Sequence, residues 1–470
     1  MCGCQIQTVI TITLQMLLLS MQQKLSRIIL GLLVLFVFNC TRAEVTDTVT
    51  LSGKVIITSG ALPATDIKLN PYGDGAETFN GYLNSDGSFQ FRVPVKELEL
   101  YEVRYGGYAK SVLFTKAERN IGFEIYTKDG KVDQMFITNS TENQAHEIFR
   151  QFNNSLRDSL KGFRTGCAPN VENCVKRWAQ VMLNHNGHMQ EIIEQFPATF
   201  TAKVLAPMSK IPVVNNQMSP VELMQYHFFD AANFTDLRLF STADVGVKFI
   251  TYLDNIADTS SRGRLDFITE MFLKAMGNAE ARKKVGTALY NIFTKTNREA
   301  YLSSMCKWTA AQSWADEQMP VISARLKLAG QVMPGSKAPE VSGVDLDGKS
   351  RSLADMVKTN KLTLLIFWES DCAHCRQSMP EFLRLYEQYH AQGLNVVAAS
   401  LDHNSADWKK FIAENKMSWI NINLPATTSA YSDYFIQATP AMALIDKQGI
   451  IIHRYMEVKE LDGYIRDELK

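Results

Sequence analysis

The spacing of apolar residues changes twice along the chain. Between Val49 and about Phe136, apolar and polar residues alternate in short runs: Val49 to Ile57, Ile67 to Tyr72, Glu77 to Leu83, Ser88 to Val93 and Glu99 to Tyr105. A period of two is that of strands buried on one face. Asn84-Ser85-Asp86-Gly87 separates two of the runs, and its glycine accepts the positive φ of a tight turn. This stretch predicts a small β domain over residues 44–140. From Glu142 to about Ala329 the period becomes helical, as in Ile148, Phe149, Phe152, Leu156, Leu160 and Phe163, or Trp178, Val181, Met182, His185, Met189 and Ile193. A helical region over 141–331 follows. Proline and glycine gather at Gln331 to Pro339, which reads as a linker. Beyond it, in residues 332–470, strands and helices alternate: strand Leu362 to Trp368, helix Ala373 to His390, strand Leu394 to Ser400, helix Ala406 to Asn415, strands Ala441 to Ile445 and Ile450 to Tyr455, and helix Lys459 to Leu469. Such alternation predicts an α/β sheet. The fold class is thus multidomain: small β domain, helical middle, C-terminal α/β domain.

Residues 1–43 carry two apolar runs, Val9 to Leu19 and Ile28 to Phe38. Both are shorter than the ~20 residues of a spanning helix. The second has the order of a secretory signal, with Lys24 and Arg27, an apolar stretch, then Cys40-Thr41-Arg42-Ala43. We read residues 1–43 as a leader that sends the chain to the periplasmic side of the cell envelope. Met21 stands where an ordinary signal would begin. An uncleaved hairpin or anchor, and a lipid attached at Cys40, are the other readings of the same segment.

Charge adds little: lysine plus arginine equals aspartate plus glutamate at 49 each, so no basic excess points to nucleic acid. Export changes how the cysteines are read, because disulfides persist outside the cytosol. Cys167 and Cys174 flank a turn-like stretch with Pro169 and Asn170, and no histidine or further cysteine lies at zinc-ligand spacing. A structural disulfide is expected there. Cys306, beside Met305 and Trp308, reads as an unpaired core residue. His185 and His188 lack a carboxylate partner in the sequence and read as packing or surface residues rather than metal ligands.

The chemistry concentrates at Glu369-Ser370-Asp371-Cys372-Ala373-His374-Cys375-Arg376, between an apolar strand and an amphipathic helix. A cysteine at a helix N terminus meets free N–H groups and the positive end of the dipole, which favour the thiolate that attacks disulfides. Cys372 is the expected attacking thiol, and Cys375, one turn on, the resolving thiol. His374 adds an imidazole that, if cationic, favours the Cys372 thiolate further. No second CxxC completes a zinc set, and no metal or cofactor is called for. Ala438-Thr439-Pro440 precedes a strand, and a proline there is a candidate for a cis peptide that leaves the Thr439 backbone free to pair with a bound peptide.

From about Pro334 to Lys470 the chain resembles the TlpA/ResA-like thiol-disulfide oxidoreductases of the thioredoxin superfamily. The resemblance rests on Gly335-Ser-Lys-Ala-Pro339, Asp345-Leu-Asp-Gly348, Phe367-Trp368, the Cys372/Cys375 pair, Pro380, Ser400-Leu-Asp402, Thr439-Pro440 and Leu444-Ile-Asp446. It implies a thioredoxin fold, Cys372 and Cys375 as the redox pair, Pro440 as the cis proline, Trp368 and Thr439 as substrate contacts, protein disulfides or dithiols as partners, and an upstream membrane electron donor. Three positions depart from the pattern: Asp371 replaces a usual Trp, Ile366 a buried acid, and His374 a usual Pro. The acceptor of the Cys375 proton is open between Glu369 and Asp402. His374 also resembles the histidine of DsbA-type oxidants, which leaves the redox direction open. A peroxidase of the AhpC/TSA type is a second reading, although Glu369 stands in place of the threonine of its signature loop. A non-enzymatic envelope binding protein is a third. Asp86-Gly-Ser-Phe89 and Ile137-Thr-Asn-Ser-Thr-Glu-Asn143 resemble the β-rich domain of unknown function at the N terminus of many Bacteroidetes thioredoxin-like proteins.

Overall fold

A computed structural model describes residues 47–72, 77–95, 97–163, 172–213, 218–296, 298–436, 438–454, 456 and 458–470. The leader, Cys40 included, lies outside them. So does the expected Cys167–Cys174 pairing, since Cys167 and the Cys174 side chain are not described.

Among the described residues the N-terminal part holds eight strands, three more than the five runs predicted: β1 (Asp47–Ile57), β2 (Asp66–Pro71), β3 (Phe79–Tyr82), β4 (Ser88–Val95), β5 (Leu98–Tyr105), β6 (Tyr108–Thr115), β7 (Asn120–Lys128) and β8 (Lys131–Ile137). They form two four-stranded sheets, β4-β1-β7-β8 and β3-β2-β5-β6. One buried cluster joins their inner faces, with Val49, Leu51 and Phe123 from the first sheet and Ile67, Val103 and Phe114 from the second. Strict alternation of buried and open residues along β4 produces such a face. At the β3–β4 turn Gly87 has φ of 79°, and Asp86 accepts from the Ser88 N–H at 3.0 Å.

The helical part begins with α1 (Thr141–Ser159), capped by Ser140, whose Oγ accepts from the Asn143 N–H at 3.1 Å. The same turn joins the two parts. The Asn143 amide donates to the Leu113 carbonyl and accepts from the Leu113 N–H, both at 2.8 Å, as a neighbouring strand would. Glu142, buried, accepts from the N–H groups of Phe200 and Thr201 at 2.6 and 2.9 Å. Buried polar groups are tolerated when fully paired. This explains the polar run Asn139 to Asn143 at a place where a core residue would otherwise be expected. The longer helices that follow are α2 (Glu172–Gln195), α3 (Pro220–His227), α4 (Asp244–Asn255), α5 (Ser261–Lys274), α6 (Ala279–Lys295), α7 (Glu299–Ala310) and α8 (Pro320–Gly330). No helix among the described residues is long and apolar enough to cross a membrane. His185 is buried, with Nε2 3.0 Å from the Ser209 carbonyl, and burial holds its pKa down at about 4. His188 stacks on Phe152 with ring centroids 3.9 Å apart.

The C-terminal part is one seven-stranded sheet, ordered β10-β9-β13-β12-β11-β14-β15. Its strands are β9 (Ser342–Asp345), β10 (Ser350–Ser352), β11 (Leu362–Trp368), β12 (Leu394–Ser400), β13 (Ile420–Asn423), β14 (Ala441–Asp446) and β15 (Ile451–Arg454). β11 runs parallel to β12 and antiparallel to β14. Every residue of β11 is buried, as its unbroken apolar run requires of a central strand covered on both faces. Leu364, Ile366 and Trp368 face α9 (Ala373–Tyr389) and α10 (Leu461–Leu469), while Leu365 and Phe367 join a cluster continuous with the helical core. The expected linker is itself hydrogen-bonded to the sheet. The Gly335 N–H donates to the Ile451 carbonyl at 2.8 Å, the Ile451 N–H to Ser336 at 2.9 Å, and the Ala338 N–H to Gly449 at 2.8 Å.

Candidate active site

The end of β11 delivers the chain to α9 through a short loop that two acids hold. Asp402, following β12, accepts from the Ser370 N–H at 3.0 Å, from the Ser370 hydroxyl at 2.7 Å and from the Ser400 hydroxyl at 2.7 Å. Arg376 reaches back to the Ser370 carbonyl at 2.6 Å. Glu369 accepts from the Tyr431 hydroxyl at 2.9 Å and the Thr439 hydroxyl at 3.4 Å. Of the two acids open as acceptors of the Cys375 proton, Asp402 is thus committed to serines of the loop, and Glu369 lies against Thr439. Tyr431 carried no sequence signal for this contact, because the pairing is 62 residues apart.

Cys372 is the N-cap of α9, with extended backbone at φ −72° and ψ 116°. An N-cap side chain turns back over the first free N–H groups of the helix. Here Sγ accepts from the Cys375 N–H at 3.3 Å. Its thiol also lies 3.4 Å from the Thr439 carbonyl, to which it donates when protonated. The Thr439–Pro440 bond is cis, and both residues are partly exposed beside the sulfur. Burial opposes ionisation of Cys372. The hydrogen bonds from the Cys375 thiol, Thr439 and the backbone N–H groups of Cys375 and His374 outweigh it, and the thiol lies below its ordinary value. Cys375, one turn inside, is fully buried, and burial together with the hydrogen bond to Cys372 pushes it up to about 12. Both are free thiols, as is Cys306 on α7, which burial pushes up to about 12.

Two expectations change. The His374 side chain is exposed, and what His374 contributes toward lowering the Cys372 thiol comes through its backbone N–H, the smallest of the influences on that sulfur. Trp368, expected to touch substrate, has none of its surface exposed; its ring lies 5.3 Å from that of Phe411. As the last residue of a central strand it points into the core beneath α9, out of reach of solvent. Ile366, in place of a buried acid, is fully enclosed among apolar neighbours.

Residues 334–454 match the AhpC/TSA family. Curated relatives include the thiol-disulfide oxidoreductase ResA of Geobacillus thermodenitrificans, 30% identical over 118 residues that cover 25% of this chain and 66% of the relative. ResA of Bacillus subtilis is 25% identical over 125 residues, 26% of this chain and 66% of the relative. Among solved structures, the thioredoxin domain of a thiol-disulfide oxidoreductase from Bacteroides vulgatus is 30% identical, with a TM-score of 0.28 over 29% of this chain and 98% of that one. The sheet, the helix and the paired thiols at its start define a domain of the thioredoxin superfamily. Within it, the C-terminal part of this chain is similar to the TlpA/ResA-like thiol-disulfide oxidoreductases. The chain spans 66% of the length of each of the first two curated relatives.

Proposed function

We propose that this chain is an exported thiol-disulfide oxidoreductase that exchanges electrons with protein disulfides through Cys372 and Cys375. The observation that carries the reading is the asymmetry of the pair: one partly open thiol acting as a helix cap with its thiolate favoured, the other buried with its thiolate disfavoured. In the reducing direction the Cys372 thiolate attacks a substrate disulfide, forms a mixed disulfide and expels one substrate thiolate. Cys375 then loses its proton and attacks Cys372 Sγ, which closes the internal disulfide and releases the second substrate thiolate. Two electrons have passed to the substrate. Glu369, whose carboxylate accepts from the Thr439 hydroxyl beside Cys372, is our candidate acceptor of the Cys375 proton. Exposed Ala438 and partly exposed Thr439, ahead of the cis proline, are where an extended peptide would dock beside Cys372. The leader-like residues 1–43 support a place on the periplasmic side of the envelope, with a membrane donor returning electrons to the disulfide.

The test is insulin reduction by the full chain with dithiothreitol as donor, beside hydrogen peroxide consumption under the same conditions. We expect insulin reduction that Cys372→Ser abolishes, and stable mixed disulfides with envelope proteins in Cys375→Ser. Full activity in Cys372→Ser, or peroxide consumption without insulin reduction, overturns the reading.

A further inference from the structure

Lys248 lies on α4, and only 8% of it is exposed. Among the described residues its ammonium makes no ion pair and no hydrogen bond. It lies instead over the rings of Phe228 and Phe229, 4.2 and 5.6 Å from their centroids. A buried charge is ordinarily paired or bound to an ion. The nearby carboxylate of Asp244 pairs instead with His146, whose Nε2 is 2.9 Å away. Burial, with the field of Lys274, accordingly pulls the Lys248 pKa down to about 7.

Lys248 forms part of the wall of a cavity of about 240 Å³ between α1, α4, Met208–Ser209 and Phe228. At ~30 Å³ per water this holds about eight waters, or one small organic molecule. Phe149, Leu156, Met208 and Phe228 make one side apolar. Arg150 and Arg157 also line it, so two guanidinium groups and an amine whose protonated form a bound anion would favour face a single carboxylate that already has a partner. A greasy wall beside an excess of positive charge selects a molecule that is itself both apolar and anionic.

We propose that this cavity is a binding site for a small amphiphilic carboxylate, with the carboxylate on Lys248, the tail against Phe228 and Met208, and Arg150 at the rim. The assignment is independent of the thiol chemistry at Cys372.

Calorimetric titration of the full chain with hexanoate, and with hexanol as the uncharged probe of equal length, tests it. Hexanoate should bind and hexanol should bind more weakly. Lys248→Met, which keeps the volume and removes the charge, should weaken hexanoate at least about tenfold, the loss of one charge-assisted contact. Arg150→Gln should weaken it about threefold, as for a rim charge. Insulin reduction by either variant should be unchanged. Equal affinity for hexanoate and hexanol, undiminished binding by Lys248→Met, or no binding of any straight-chain acid from butanoate to octanoate at millimolar concentration overturns the proposal. If Lys248→Met does not fold, the hexanoate–hexanol pair on the unaltered chain and the Arg150→Gln titration decide the matter.

Discussion

The backbone N–H of His374 and its imidazole can be separated by two substitutions at one residue. His374→Pro removes both, since proline has no N–H, yet proline is tolerated in the first turn of a helix. His374→Ala removes the imidazole alone. Behind the Cys375 thiol, Thr439 and the Cys375 N–H, the His374 N–H is the smallest influence that lowers the Cys372 thiol, whereas the His374 side chain is exposed. A hydrogen bond to a charged group contributes ~1.5–3 kcal/mol when dry. Cys372 is partly open to water and the His374 N–H is the least of the donors around it, so its contribution falls below that range. We expect the alkylation midpoint of Cys372 to rise, by less than about one unit, in His374→Pro and to stay where it is in His374→Ala. The assay is the rate of iodoacetamide labelling of the fully reduced chain against pH, with the site identified by peptide mass. A less favoured thiolate destabilises the dithiol state, so His374→Pro should also be the more reducing protein. If His374→Ala moves the midpoint as far as His374→Pro, the imidazole charge is the cause and the backbone account fails.

At pH 7 Cys372 should be labelled before Cys375. A thiol at about 12 against one below 9.0 gives a thiolate ratio of at least ~1000, which the greater reactivity of a basic thiolate reduces to ~30-fold; Cys375 labelled first would contradict this. Asp402→Ala leaves Ser370 and Ser400 without their acceptor and should lower denaturant stability by about 2 kcal/mol, and a loss within experimental error would show that the loop stands without it. Glu299 on α7 accepts from the Arg454 N–H at 2.8 Å, and burial raises its pKa from 4.5 to about 8. A raised folded-state value means that stability is fully present below pH 4.5 and is lost as pH rises through 8. Glu299→Gln should flatten the stability profile between those limits, and an unchanged slope in that variant would assign the titration to another group.

The sequence locates the central strand Leu362 to Trp368 and the strand Leu394 to Ser400 at the bounds observed, because long buried runs are unambiguous. β9, β10 and β13, of three or four residues, were not legible: they lie toward one side of the sheet and carry too few apolar positions to show a period. β6 to β8 fell within the predicted β region but were not separated. The cysteine pair and its helix were readable from spacing. The contacts of Glu369 with Tyr431 and Thr439 were not, since side-chain pairs 62 and 70 residues apart leave no local mark. Lys248 was equally silent, because a lysine on an amphipathic helix normally reads as solvated. Trp368 was misread because its role was carried over from the family resemblance, while burial of both faces of β11 leaves no side chain of that strand at the surface.

The bonds of Gly335, Ser336 and Ala338 to the strand at Ile451 make the passage from helices to sheet a ruler rather than a leash. A flexible tether would let the redox domain sample many positions around whatever the first 330 residues hold. A passage zipped onto an edge strand instead fixes one reach and one bearing for the Cys372 sulfur. If the chain acts on protein disulfides as proposed, that reach sets which of them the Cys372 sulfur can meet.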